Sequence, residues 1–211
     1  IPVTMSGTAA DGTDYTTIVS ITIPDGQSSG TVDVVALQDG SFENNETVIA
    51  TIGDLSGITG VSEGTMTSAT VTITDAVTVD ITASDDAATE GGTDNGEFTV
   101  TLSSVNNTGA DIVIPVTMSG TAADGTDYTT IVNITIPDGQ SSGTVEVVAL
   151  QDGSFENNET VIATIGDLSG VTGVSEGTMT SATVTIYDNT PDTDGDGVND
   201  FDEIADGTDE N

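Results

Sequence analysis

The chain of 211 residues contains no lysine, arginine, histidine, cysteine or tryptophan, against 36 aspartates and glutamates that give a formal charge of −36. No carboxylate can therefore find a side-chain salt-bridge partner. Self-repulsion of this size opposes a compact state unless counterions or bound divalent cations relieve it. Without cysteine there is no disulfide, thiol nucleophile or zinc thiolate site. Without histidine or lysine there is no Ser–His triad and no Schiff base. Nothing can neutralise phosphates, so nucleic acid is not an expected partner. No run approaches the ~18 apolar residues of a membrane helix, and no secretory leader is present. The chain reads as a mature internal piece of something larger, secreted or at a cell surface, and as no enzyme.

Low aromatic content with this much acid also fits disorder. The 35% of hydrophobic residues, however, sit in alternating β-branched runs, which favours a folded chain with metal as the missing cation. The dominant pattern is a repeat. Ile1-Pro-Val-Thr-Met-Ser-Gly returns at Ile114, and residues 1–75 align without gaps on 114–188 at an offset of 113. The two stretches match at 71 of 75 positions, differing only at Ser20/Asn133, Asp33/Glu146, Ile58/Val171 and Thr74/Tyr187. A period this long means whole domains in tandem. Near-identical copies suit a task of length or valency, since a catalytic centre needs no second copy.

The complete repeat spans 76–188. Seven short strands are expected in it, at Val77–Thr82, Glu97–Leu102, Ile112–Met118, Ile131–Ile136, Thr144–Leu150, Thr160–Ile165 and Ser181–Tyr187. They alternate apolar with polar residues and are separated by Asp-Gly and Gly-rich turns. That is the scale of an immunoglobulin-like sandwich, an all-β fold. The first copy, 1–75, lacks the equivalents of 76–113 and so its first two strands. Either the sequence is an excerpt of a longer array, or another chain supplies those strands by complementation.

From 189 to 211 the composition turns acidic and Gly-rich. Asp192-Thr-Asp194-Gly-Asp196-Gly197-Val198-Asn-Asp200-Phe-Asp-Glu203 fits the calcium-loop pattern D-x-D-x-D-G-x5-E at every position. Asp192, Asp194 and Asp196 would give side-chain oxygens, Val198 a carbonyl, Asp200 a direct or water-mediated contact, and Glu203 two oxygens. Pro191 directly before the loop argues against an entering helix, so the segment resembles a thrombospondin type 3 or dockerin-like calcium repeat. Within the repeats, Asp152-Gly-Ser154-Phe-Glu156-Asn-Asn-Glu159 packs carboxylates that would repel one another unless a divalent ion drew them together.

Ser119-Gly-Thr-Ala122, Gly125-Thr-Asp127-Tyr128 and the acidic loop closing in Glu156-Asn-Asn-Glu159 occur in that order. With their counterparts in 1–75 they resemble the Calx-beta domain, the calcium-binding sandwich of sodium–calcium exchangers and of many large bacterial surface proteins. The resemblance implies a calcium site at Glu90, Asp127, Asp152, the Ser154 carbonyl, Glu156, Glu159 and Asp188. In the first copy it implies Asp14, Asp39, the Ser41 carbonyl, Glu43, Glu46 and Asp75, with no equivalent of Glu90. Gln38 and Gln151 stand where the exchanger domains have a further aspartate, which implies fewer or weaker ions. Asn45, Asn106, Asn133 and Asn158 each begin an N-x-T sequon.

The expectation is a tandem array of calcium-binding (Ca2+) sandwiches with a short calcium-loop tail, in an extracellular structural or adhesive protein. Calcium would stiffen the array into a rod or fibre, with self-association or neighbouring repeats as partners. A calcium-responsive regulatory module and a non-catalytic appendage of a secreted enzyme remain as alternatives.

Overall fold

The computed structural model describes residues 1–91, 94–151 and 157–188. Every regular element among them is a β-strand. The chain divides into two compact units, Ile1–Ala76 and one beginning at Val77. The first holds β1 (Val3–Gly7), β2 (Ser41–Phe42), β3 (Glu46–Ile52) and β4 (Ser68–Ile73). The second holds β5 (Val77–Asp85), β6 (Ala87–Thr89), β7 (Gly96–Leu102), β8 (Val105–Asn106), β9 (Ile112–Gly120), β10 (Asn133–Ile136), β11 (Ser142–Val147), β12 (Glu159–Ile165), β13 (Val174–Glu176) and β14 (Ser181–Tyr187).

In the second unit two sheets face each other. One runs β10-β9-β12-β14-β6 and the other β11-β7-β5-β13, with β14 packed on β5 and β7. The period-2 pattern explains the layering. In β5, Val77, Val79 and Ile81 are buried while Thr78 is exposed; in β7, Phe98, Val100 and Leu102 are buried around an exposed Thr101. Antiparallel pairing brings Ile81 opposite Val100 and Val79 opposite Leu102, so β-branched side chains stack across strands. Val161, Val184 and Ile186 answer from the other sheet, each fully or nearly fully buried.

All seven expected strands are present, Ser181–Tyr187 with the expected ends and the others with shifted ones, the fourth beginning at Asn133 and the fifth running Ser142–Val147. Three short strands were not expected: β6, β8 and β13. β6 lies parallel to β14, and β13 parallel to β5. Two or three residues carry no measurable period, and parallel partners are remote in sequence.

Gly120, the glycine of the Ser-Gly-Thr-Ala stretch, has a physical reason. Its φ is +125°, and a β-carbon there would lie 2.0 Å from the Thr160 carbonyl oxygen. Gly7 repeats both features, with φ +123° and the Thr47 carbonyl at the same distance. A side chain at either position would separate the strand end from its neighbour.

The first unit is a three-stranded sheet, β1-β3-β4, over a small core of Ala9, Tyr15, Val48 and Ile73. Its β3 pairs both neighbours antiparallel, as β12 does in the second unit. Identical residues nevertheless meet different surroundings. Ile136 is 0% exposed, whereas its counterpart Ile23 is 45% exposed. We therefore expect Ile136→Ala to cost about 2–5 kcal/mol, as for a buried isoleucine, and Ile23→Ala about 0.5 kcal/mol or less, as for a surface site. Urea unfolding of the two variants measures both. Equal costs would show that the two repeats bury this position alike.

Candidate metal centre

The site in the first unit is assembled by a turn, a loop and two strand ends. The turn is Ala10–Tyr15. Tyr15 is buried at 1% exposure and anchors it in the core, with Gly12 N–H donating to the Tyr15 carbonyl at 3.0 Å and Asp14 N–H to the Ala10 carbonyl at 3.0 Å. The Asp14 carboxylate accepts from Ala10 N–H, which closes the turn and fixes the side chain. Leu37 N–H donates to the Asp14 carbonyl at 2.8 Å, so the acidic loop starts directly beside Asp14. Burial, followed by the charges of Asp11 and Asp14, raises the Tyr15 hydroxyl above its ordinary pKa.

The loop then delivers Asp39, Ser41 and Glu43. Ser41 N–H donates to Asp39 Oδ1 at 2.9 Å, and Glu43 N–H donates to Asp75 Oδ2 at 3.0 Å. Pairing of β3 with β4 sets Glu46 opposite Ile73, so Asp75, two residues further on, reaches the same end. One carboxylate oxygen from each of Asp14, Asp39 and Glu43 lies within 4.8 Å of the others. Calcium binds oxygen at about 2.3–2.6 Å, so oxygens on opposite sides of one ion stand about 5 Å apart. The three therefore fit a single calcium ion. An open cleft of about 280 Å³ adjoins them, lined by Gln38, Asp39, Ser41, Thr74 and Asp75 among others. All six residues implied in the first copy thus belong to one end of one unit.

Electrostatics separates Glu43 and Glu46 from ordinary turn caps. Burial pushes Glu46 up to about 7, helped by a hydrogen bond to Asp14 and the charges of Asp14, Glu43 and Asp75. Glu43 is also raised, by burial first and then by Asp39, Asp14 and Asp75. Asp54 and Asp167 go the opposite way. Each accepts from the backbone and hydroxyl of the serine two residues on, at 2.8 and 2.9 Å, and each is lowered by those bonds. A carboxylate that caps a turn is stabilised as an anion, while one crowded by others asks for a proton or a cation.

In the second unit Asp152, Ser154 and Glu156 lie outside the described residues, as does the whole tail set Asp192, Asp194, Asp196, Val198, Asp200 and Glu203. Of the remaining four, Glu90, Glu159 and Asp188 lie about one end of β14. β6 runs beside β14 with Thr89 opposite Tyr187, and Glu90 N–H donates to the Tyr187 carbonyl at 2.9 Å. That sets Glu90 next to Asp188. Glu159 opens β12 opposite Ile186, and Leu150 N–H meets the Asp127 carbonyl at 2.8 Å. Glu90 and Asp127 are buried, and Glu90 Oε2, Glu159 Oε2 and Asp188 Oδ1 are shielded from solvent.

Two residues that the sequence marked only as departures also sit here. Gln38 lines the first cleft. Gln151 lies against Gly91, where an added β-carbon would come within 2.2 Å of its Oε1, one residue from Glu90. A glutamine carbonyl is a neutral calcium ligand, so the position is kept while its charge is lost. The residue type was readable in the sequence, but its position beside Glu90 was not. Of the sequons, Asn106 is closed to a glycan. It is fully buried, and its amide donates to the Ala110 carbonyl at 2.9 Å and the Ile136 carbonyl at 3.3 Å.

No curated protein matches the chain. Among solved structures, the apo-form Calx CBD1 domain aligns at 18% identity, covering 55% of this chain and 99% of that one, with a TM-score of 0.42. CBD12 from CALX1.2 aligns at 15% identity over 88% of this chain and 86% of that one, with a TM-score of 0.37. The Calx CBD2 domain aligns at 14% identity over 60% and 91%, with a TM-score of 0.38. The family model described as the Calx-beta domain matches residues 3–77 and again 93–190, most of the chain. The chain belongs to the Calx-beta family, with two such domains in tandem.

Proposed function

We propose that this chain is a calcium-binding structural or adhesive segment of an extracellular protein, in which calcium neutralises the loop carboxylates and stiffens a rod or fibre of tandem sandwiches. It has no catalytic role. One observation carries the reading: Asp14, Asp39 and Glu43 converge within 4.8 Å in a chain that has no cationic side chain. Crowded anions without a counter-charge make a fold that needs an ion. Two nearly identical copies then give the same end of each repeat the same dependence. Residues 189–211 would bind a further ion through Asp192, Asp194, Asp196, Val198, Asp200 and Glu203, in the manner of a thrombospondin type 3-like loop.

Ions bound only by the native state stabilise it by mass action, by about 2.7 kcal/mol at one hundred times the dissociation constant. Thermal melts in millimolar calcium should therefore lie several degrees or more above melts in chelator at matched ionic strength. Coincident melts would remove calcium from the account.

Protons should substitute in part for the ion. Glu46 stands at about 7 in the folded chain against an ordinary 4.5. Its contribution is fully present below pH 4.5 and is lost as pH rises through 7, because the folded state binds more protons across that window. Calcium-free protein should thus unfold at lower urea concentration at pH 8 than at pH 5, and saturating calcium should flatten the difference. A calcium-free stability that rises from pH 5 to 8 contradicts this.

In the tail, Glu203→Gln removes the carboxylate expected to give two ligand oxygens. Calorimetry should show one class of calcium sites weakened while the melting of the sandwiches stays unchanged. An unaltered set of affinities would dissolve the loop assignment.

A further inference from the structure

The carboxylates are spread unevenly over the two sheets of the second unit. On β11-β7-β5-β13 the positions that alternate with the core residues include Asp80, Glu97 and Glu146. Pairing sets Glu97 opposite Glu146 on β11 and opposite Asp85 on β5, a like-charge row that is unfavourable in a sheet. The Ser84 hydroxyl donates to Glu97 Oε1 at 2.7 Å and the Asn95 amide to Glu146 Oε2 at 3.3 Å, and the charges stay where they are.

The sheet β10-β9-β12-β14-β6 is the reverse. Its strands hold a single carboxylate, Glu159, at the loop end with Oε2 shielded from solvent. Val161, Ala163, Val184 and Ile186 turn to the core, so the residues between them form the outer face. There Thr164 stands between Thr117 and Ser181, and Ile162 between Ser119 and Thr183. Thr117, Ser119, Ser181 and Thr183 are exposed, and Ile162 and Thr164 on the central strand are half-buried. The first unit builds the same face from the same residue types. Thr51 stands between Thr4 and Ser68, and Ile49 between Ser6 and Thr70. In a chain of 36 carboxylates, each repeat thus keeps one sheet face of hydroxyls around an isoleucine, without charge among the described residues.

We propose that this face is the surface through which two copies of the chain associate side by side, face against face. Chains that each carry −36 repel, and the repulsion is least where neither presents a carboxylate. A cationic partner would be drawn to the Asp85–Glu97–Glu146 row instead, and an anionic one finds no positive group here. The hydroxyl face is self-complementary. Each threonine or serine hydroxyl both donates and accepts, so the same patch can meet itself, as an isologous contact requires, while threonine methyls and Ile162 lose contact with water. Size explains why the face occurs twice. Three strands about 4.8 Å apart and seven residues long cover on the order of 350 Å². One such patch is well below the roughly 800 Å² a side of a standard interface, whereas two on one chain approach it and act with avidity. The inference does not rest on calcium.

Sedimentation of the 211-residue chain in chelator tests it, at about 1 mM chain, where contacts this small begin to populate. Association should strengthen as sodium chloride rises to about 1 M, which shortens the screening length to about 3 Å. Thr183→Asp should weaken it about tenfold or more, and Thr70→Asp with Thr183→Asp should abolish it. Thr70→Val with Thr183→Val, which keeps both faces neutral, should preserve it. A chain with Thr101→Asp and Thr144→Asp, equally charged but on the other sheet, should associate like the parent at high salt. Thermal melts identify any variant that fails through unfolding. A parent chain that stays monomeric at high salt overturns the proposal, as does a folded Thr70→Asp, Thr183→Asp chain that associates undiminished. Association that needs calcium would mean ions bridging carboxylates and overturns it too. So would a monomer whose amide exchange at Thr183 slows only with an uncharged polysaccharide such as dextran, since the occupant would then be a glycan.

Discussion

Unbalanced negative charge is the constraint under which this fold operates. Thirty-six carboxylates and no side-chain cation leave three ways to lower the repulsion: distance, a hydrogen bond, or a bound positive ion. The fold uses the first two openly. Asp54 and Asp167 spend their charge on serine N–H and hydroxyl groups in exposed turns. At the loop end of the first repeat backbone N–H groups reach Asp14, Asp39 and Asp75, yet distance is not used, because Asp14, Asp39 and Glu43 converge and Glu46 is held up near 7. Crowding of this kind is what a bound cation would relieve.

The tandem copies act as a controlled comparison of sequence against context. With 71 of 75 positions shared, local propensity is almost constant between them, and differences in structure report the neighbours. The turn around Tyr15 and Tyr128 is the same in both, each tyrosine buried at 1% exposure and each bridged to an alanine of the acidic loop. Its contacts lie within the shared residues. The stretches 29–34 and 142–147 differ because a strand is a pairing and not a property of one segment. β-propensity supplied the candidates, and the presence of β5 and β7 decided which of them became strands.

This sets what could be read from the sequence. The long alternating strands β5, β7, β12 and β14 were legible, since valine, isoleucine and threonine at period 2 mark a half-buried surface whatever lies beside it. β13 was not, because its bond to the rest of the sheet, Ser175 hydroxyl to the Val77 carbonyl, spans 98 residues. β6 was hidden for the same reason, and with it the position of Glu90, which three parallel residue pairs with β14 fix. All the candidate ligands of the two repeats, Asp14, Asp39, Glu43 and Asp75 in the first among them, were named through the resemblance. Gln38 and Gln151 were legible as residue types but read as losses, because their closeness to the site is set by loop path. Asp39, Glu43 and Asp75 converge only when the loop after Ala36 and the end of β4 fold back to one end, which no local pattern encodes.

The charge and the pairing arguments meet at Glu90. In the second repeat β6 hydrogen-bonds beside β14 and puts Glu90 against Asp188, so the chain segment that covers the core also contributes a carboxylate to the loop end. Covering the core is favourable by burial, while adding another anion to a crowded end is unfavourable until an ion is present. The two effects are therefore coupled through one stretch of backbone, Val77 to Leu102. A bound cation would offset the electrostatic cost of seating that stretch.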